Sequence, residues 1–397
     1  MKNTFYISAP VDTYSGYGAR SRDIIKSLIE LDKYNIKILS QRWGDTRRGF
    51  LNDFPEWEFM EKYIVPQILS KPDIWCQISV PNEFQSIGAY NIGITAGIET
   101  TACAPQWIEG CNRMDLILTS SEHSKRVFEL TNYEVQNKQN GGKVNLSVTT
   151  PIKVLFEGAN LDVYKPLKEP MTNDELYKSI DSIPEKFKNK SNAPALILKC
   201  SLGKGSHMDR REIMKRISSI RKSLPITKLP NIYLIHGDLS DAEMNELYNH
   251  PKIKSMVSAT KGEGFGRPLL EFALTGKPII ATGWSGHVDF LNPKLTALMG
   301  GELSDLHPSS IQKDILIEGS QWFDVNHGHL GHYLTDVKKN YKEWLPKSKT
   351  LSRNLRKNFS YSAMKNLLGS ILNENVKIPT KMELKLPKLK KLTPINK

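Results

Sequence analysis

The sequence predicts an α/β protein of two doubly wound domains that face each other across a cleft. Three observations predict it. Short apolar strands alternate with helix-period segments in two separate series, which implies parallel pairing through crossovers. A stretch rich in Lys, Pro, Asn, Ser and acidic residues divides the two series. The 397 residues are too many for one ordinary core and comfortable for two.

The first series opens with an alternating strand from Asn3 to Ala9. The loop Tyr14-Ser15-Gly16-Tyr17-Gly18 follows, and Ala19 to Leu31 carries Ile24, Ile25, Leu28 and Ile29 at helical spacing. Asn35 to Leu39 completes a βαβ unit. Asp73 to Val80 and Ile92 to Ile98 read as strands, and Pro105 to Asn112 as a helix with proline in its first turn. Leu116 to Thr119 is a strand, and Ser120-Ser121-Glu122-His123 caps a helix reaching Leu130. Thr131 to Thr150 is polar and rich in Gly and Asn, a surface hairpin or loop. Ile152 to Phe156 returns as a strand.

The second series begins with Ala195 to Cys200, followed by a basic amphipathic helix from Asp209 to Leu224 and a strand from Ile232 to His236. Ser240-Asp241-Ala242-Glu243 is a capping box before Met244 to Tyr248. Ile253 to Ser258, Arg267 to Thr275 and Pro278 to Thr282 add strand, helix and strand. Tyr361 to Leu372 sets Met364, Leu367, Leu368 and Ile371 on one helical face. These spans give a Rossmann-like domain at 1–165, a linker at 166–193 and a second Rossmann-like domain at 194–358. A helix crossing back at 359–375 and a tail at 376–397 complete the chain. Ligands of such sheets sit at the carboxyl ends of the strands.

Composition narrows the function classes. At 39% hydrophobic and 9% aromatic residues the chain can fill real cores, which excludes a disordered polymer. No apolar run approaches the ~20 residues that span a bilayer. The start, MKNTFYISAPVDTYSGYG, has no secretory apolar core or cleavage site, so the protein is expected in the cytoplasm. Cys76, Cys103, Cys111 and Cys200 form no C-x-x-C pair, and Cys76 and Cys200 fall in apparent buried strands, so all four read as reduced thiols. The net charge is +13, of which the tail supplies +6 through seven lysines against one glutamate. Such a tail either solubilises or meets an anionic partner, namely nucleotide phosphate, membrane lipid or nucleic acid.

The segment richest in chemistry is Lys261-Gly-Glu-Gly-Phe-Gly-Arg-Pro-Leu-Leu-Glu271. Its glycines at 262, 264 and 266 lie after a strand and before a helix, where backbone amides can approach a ligand and the helix terminus favours phosphate. Glu263 and Glu271 can accept hydrogen bonds from vicinal sugar hydroxyls. By itself the loop also reads as a plain glycine-rich turn.

The spacing from Glu263 to Glu271, with Gly-Phe-Gly after the first glutamate, is followed by Gly276-Lys277-Pro278-Ile279-Ile280-Ala281 and Gly283-Trp284-Ser285-Gly286. This resembles the donor-site signature of retaining GT-B glycosyltransferases of glycosyltransferase family 4 (glycosyl transferases group 1). Glu157 to Asp162, Ser240 to Tyr248, Phe359-Ser360-Tyr361, Glu99-Thr100 and Ser121-Glu122 resemble further family segments in the same order, so the resemblance spans most of 1–375.

The resemblance implies transfer of a sugar from a nucleotide-diphosphate sugar to an acceptor hydroxyl, with no other cofactor. It implies that Glu263 faces the donor sugar, that Glu271 holds the ribose, and that amides across Gly264, Phe265, Gly266 and Arg267 meet sugar and phosphate. The family's Arg and Lys that neutralise the diphosphate correspond to Lys199 and Lys204, so a lysine stands in place of the arginine; Arg210 or Arg211 is the alternative, and either also reads as a solvated helix face. Gly16 and Gly18 would meet the leaving diphosphate and acceptor, and Glu99 would orient or deprotonate the acceptor hydroxyl. His287 is a further candidate beside the donor cleft.

The sequence contains no Asp-x-Asp, which is consistent with metal-free transfer, and His327, His329 and His332 resemble a helix entry more than a metal site. The acceptor stays open: a surface glycan, a lipid-linked saccharide or a DNA base. With the first two, the basic tail at 376–397 would rest on the inner membrane surface. A non-catalytic nucleic-acid binder on the same scaffold, and a synthase using a phosphorylated acceptor, are the other readings.

Overall fold

The computed structural model describes residues 2–136, 142–169, 194–201, 206–225 and 229–378. The N-terminal domain holds a parallel six-stranded sheet. Its strands are β1 (Thr4–Ala9), β2 (Asn35–Ser40), β3 (Ile74–Ile78), β4 (Tyr90–Ile94), β5 (Leu116–Thr119) and β8 (Ile152–Val154), in the spatial order β2-β1-β3-β4-β5-β8. Register pairs Phe5 with Ile36 on one side and with Ile74 on the other. The order reverses between β1 and β3, and the crevice above that point is where a doubly wound sheet receives ligands. The polar stretch after Thr131 is a hairpin of β6 (Asn132–Gln136) and β7 (Lys143–Ser147).

Helix α1 (Gly16–Leu31) starts earlier than the apolar spacing implies, because Ser15 Oγ caps it by accepting from Gly18 N at 2.9 Å. Gly18 is required there, since a Cβ would lie 2.4 Å from the Thr13 carbonyl oxygen. Alongside Ile24, Ile25 and Leu28, this helix buries Arg20, Arg22 and Asp23. The other α-helices among the described residues of this half are α2 (Phe50–Asp53), α3 (Pro105–Cys111) and α4 (Glu122–Leu130). β4 ends at Ile94 rather than Ile98 because Gly97, at φ 88°, turns the chain.

In the second half β9 (Leu196–Lys199) pairs with β10 (Ile232–Ile235), and β12 (Ile279–Thr282) lies between β11 (Met256–Ser258) and β13 (Ala297–Met299), all in parallel. The α-helices among its described residues are α5 (His207–Ser223), α6 (Asp241–Asn249), α7 (Arg267–Ala273), α8 (His327–Lys339), α9 (Tyr341–Asn358) and α10 (Tyr361–Asn375). α8 carries the three histidines read as a helix entry, and β13, α9 and the antiparallel hairpin of β14 (Gly301–Asp305) and β15 (Gln321–Val325) are additions to the sequence reading. The four cysteines are free, but Cys200 is half-buried just past β9 instead of inside a buried strand.

The chain crosses between domains twice, side by side. Ala159 N donates to the Phe359 carbonyl at 2.9 Å and Tyr361 N to the Ala159 carbonyl at 2.8 Å. α10 then packs Met364, Leu368, Ile371 and Leu372 into the N-terminal core with Ile24, Ile25 and Leu28. Leu368→Ala should therefore cost about 2–5 kcal/mol of stability. Denaturant unfolding checks this, and a loss below 1 kcal/mol would mean that α10 is not part of that core.

Candidate active site between the two domains

Glycine decides how the loop before α7 is used. Gly266 is the N-cap of α7 at φ 93°, and a Cβ there would come 2.9 Å from His287 Cβ. Gly262 and Gly264 face the other domain: added Cβ atoms would stand 2.1 Å from the Glu99 carbonyl oxygen and 2.8 Å from that of Ala96. The two domains thus meet backbone to backbone here. Ser120 Oγ lies 2.6 Å from Ala96 O and 2.9 Å from Gly264 O, and its single proton serves one of them at a time. Glu263 is pinned from below, its N–H donating to Ser285 Oγ at 2.9 Å and its carbonyl accepting from Gly286 N at 2.9 Å.

This contact brings carboxylates of both domains together. Burial, then the neighbouring charges of Glu99 and Glu157, push the Glu263 carboxyl up to about 7, with a hydrogen bond from Thr260 pulling the other way. Glu99 stays open to solvent on one side, and the protein packed around it raises its carboxyl. Glu271 is buried, and that burial pushes its carboxyl up to about 7 although Arg267 Nε donates to it at 2.9 Å. Arg267 Nη1 reaches the other domain, 2.5 Å from Asp23 Oδ2. Burial opposes the Arg267 charge, but Asp23 and Glu271 hold its guanidinium well above the ordinary range. Arg20, 2% exposed, donates to the Leu155 carbonyl at 2.8 Å and stands 3.7 Å from Glu157.

On the other flank His287 Nε2 lies 2.5 Å from the Thr282 carbonyl oxygen. The His123 ring meets the edge of Trp284 at 4.7 Å across the seam. Burial lowers both imidazoles, His123 to about 4, so both are neutral at pH 7. Asp289 accepts from Glu122 N at 2.8 Å, one domain's carboxylate sitting at the start of the other domain's helix α4. Thr101 and Gln321 exchange two more hydrogen bonds between the halves, each at 2.9 Å.

Of the sequence-designated residues, Glu99, Glu263, Gly264, Phe265, Gly266, Arg267 and Glu271 lie along this seam. Phe265 uses its side chain as a core anchor against Phe290. Gly16 is exposed and Gly18 buried in the first turn of α1. Lys199 is exposed at the end of β9, and Arg210 and Arg211 lie near the start of α5, four and five residues into it. Lys204 lies outside the described residues. His327, His329 and His332 lie on α8, where His329 Nδ1 accepts from Gly300 N at 3.1 Å. A cavity of about 610 Å³ lined by Lys261, Glu302, Phe323, Asp324 and His327 adjoins the loop without including Glu263 or Glu271. Sequence reasoning missed Arg20, Asp23 and Asp289; the signal for the first two was charge beside the apolar stripe of α1.

No protein-family model and no curated protein matches the chain. Solved structures do. A glycosyltransferase from Rickettsia africae ESF-5 aligns at 16% identity over 95% of this chain and 99% of its own, with a TM-score of 0.56. Anabaena HepE, solved in complex with UDP and glucose, aligns at 12% identity over 94% and 100%, with a TM-score of 0.58. Sucrose-phosphate synthase from Thermosynechococcus elongatus aligns at 9% over 94% and 99%, with a TM-score of 0.57. The fold is GT-B. It consists of two Rossmann-like domains, and the seam just described is the junction between them.

Two outcomes follow from this geometry. Glu263 and Glu271 are raised from the ordinary 4.5 to about 7, so between those values the folded chain keeps protons that the unfolded chain has released. Their contribution therefore falls as pH rises through that window. Glu263→Gln should flatten the fall in denaturant stability from pH 5 to pH 7; an unchanged slope would show that Glu263 does not titrate this way. Gly262→Ala should hold the domains apart and enlarge the radius of gyration in X-ray scattering. Gly331→Ala, where a Cβ meets open space, should not.

Proposed function

We propose that this chain transfers a glycosyl group from a nucleotide-diphosphate sugar to an acceptor hydroxyl. The observation that carries the reading is the meeting of Glu263 and Glu99, one from each domain, beside the N-terminus of α7. GT-B neighbours solved with UDP and with UDP-glucose support a nucleotide sugar as the donor.

In this reading the donor's diphosphate lies against the amides of Gly266 and Arg267, and its charge is neutralised by Lys199 and Lys204 or, in place of one of them, by Arg210 or Arg211. Breaking the glycosidic bond develops negative charge on that diphosphate. Fixed amides and cations stabilise the developing charge more than the ground state, which is what accelerates the step. Glu263 faces the sugar and Glu271 the ribose. Glu99, whose raised carboxyl brings it nearer to neutral pH, orients the acceptor hydroxyl and takes its proton. The resemblance to glycosyltransferase family 4 supports a retaining, metal-independent reaction for surface-glycan or lipid-linked saccharide synthesis, in the cytoplasm or at the inner membrane surface. No helix among the described residues is long and apolar enough to cross a membrane.

Thermal-shift measurements against a panel of sugar nucleotides, with and without EDTA, test the reading. The true donor at 100 times its dissociation constant should add about 2.7 kcal/mol of stability, and EDTA should not change it. A shift with DNA that weakens with salt, and none with any sugar nucleotide, would replace transfer by nucleic-acid binding. With the donor known, Glu99→Gln should lower turnover by about 10²-fold or more in a product assay. Full turnover in that variant would remove Glu99 from the site.

A further inference from the structure

Arg267 is placed to serve two carboxylates at once. Its Nε donates to Glu271 Oε1 at 2.9 Å within α7, and its Nη1 lies 2.5 Å from Asp23 Oδ2 on α1 of the other domain. The three side chains keep 19%, 10% and 11% exposure for Arg267, Glu271 and Asp23, so water does not substitute for a missing partner. The Tyr164 hydroxyl, beside Glu271, donates to Asp241 Oδ1 at 3.1 Å, closing the network on the side of the second domain.

We propose that Asp23 is a positioning residue for the donor, setting Glu271 through Arg267. The inference rests on the transfer reading, in which Glu271 holds the donor's ribose. A guanidinium between two buried carboxylates cannot leave either without stranding a charge. Asp23 therefore fixes where the guanidinium sits, and the guanidinium fixes the Glu271 carboxylate. Without Asp23, Nη1 loses its partner and Glu271 is left as the one carboxylate bonded to the guanidinium, with Glu157 and Asp241 acting only as neighbouring charges, and this draws the Glu271 carboxylate away from the ribose hydroxyls. Because Asp23 belongs to the N-terminal domain, the ribose site is complete only while the domains are together. Arg20, one turn earlier on α1, holds the segment leaving that domain through Leu155 and Glu157, which keeps α1 in register with the seam.

The discriminating quantity is preference for the intact ribose, which a purely structural role would not change. UDP, GDP and ADP and their 2′,3′-dideoxy analogues are titrated into the full chain by calorimetry. Wild type is expected to prefer one ribonucleotide over its dideoxy partner by about tenfold. Asp23→Ala should reduce that ratio toward the value for Glu271→Ala. Asp23→Asn, which keeps the shape and one acceptor oxygen, should fall between them, and its folding is verified by its melting curve. An Asp23→Asn or Asp23→Ala protein that retains the wild-type ratio overturns the proposal and leaves the transfer reading standing. So does a wild type that binds a ribonucleotide and its dideoxy analogue equally. A wild type that binds none of the nucleotides overturns both.

Discussion

The seam depends on two loops approaching with no side chain between them. Gly262 and Gly264 offer bare backbone to the carbonyls of Glu99 and Ala96, and any Cβ would hold the loops apart. That approach sets Glu263 beside Glu99 and lets Ser120 reach the Gly264 carbonyl. The same apposition lets Arg267 reach Asp23 and Asp289 reach the start of α4. The glycines of this loop thus divide their work. The first two admit the other domain, and Gly266 opens the helix that points its N-terminus at the site.

Around that contact the protein concentrates buried charge, which is costly unless each group is paired. Arg20 with Glu157, Arg267 with Asp23 and Glu271, and the raised carboxyls of Glu263 and Glu271 all belong to one neighbourhood. A site that develops charge during reaction benefits from such preset groups, because they need no reorganisation when the charge appears. The paired crossovers at Ala159 and Tyr361 supply the mechanical frame. The chain leaves the first domain and returns to it at one point, and α10 locks the return into the first core.

Much of the architecture is legible in the sequence because it is local. Strand-helix alternation, the Ser121 and Ser240 caps and the periodic face of α10 are set by residues a few positions apart. The elements that escape such reading have weak local signals. β13 is three residues long, β15 is half-buried throughout, and α9 carries Pro346 in its interior. The loop from Lys261 to Glu271 is legible as a place where backbone comes close to something.

What the loop comes close to is a tertiary matter. Sequence alone determines that Glu263 and Glu271 flank the start of a helix, since spacing along one chain sets that. Only the folded arrangement makes Asp23, 244 positions before Arg267, its partner, and turns charged residues beside an apolar stripe into the tie between domains. The physical reason is range. Periodicity and capping act within a turn or two of one segment. A buried ion pair acts between segments brought together by the packing of both cores, and its identity is written in neither segment by itself.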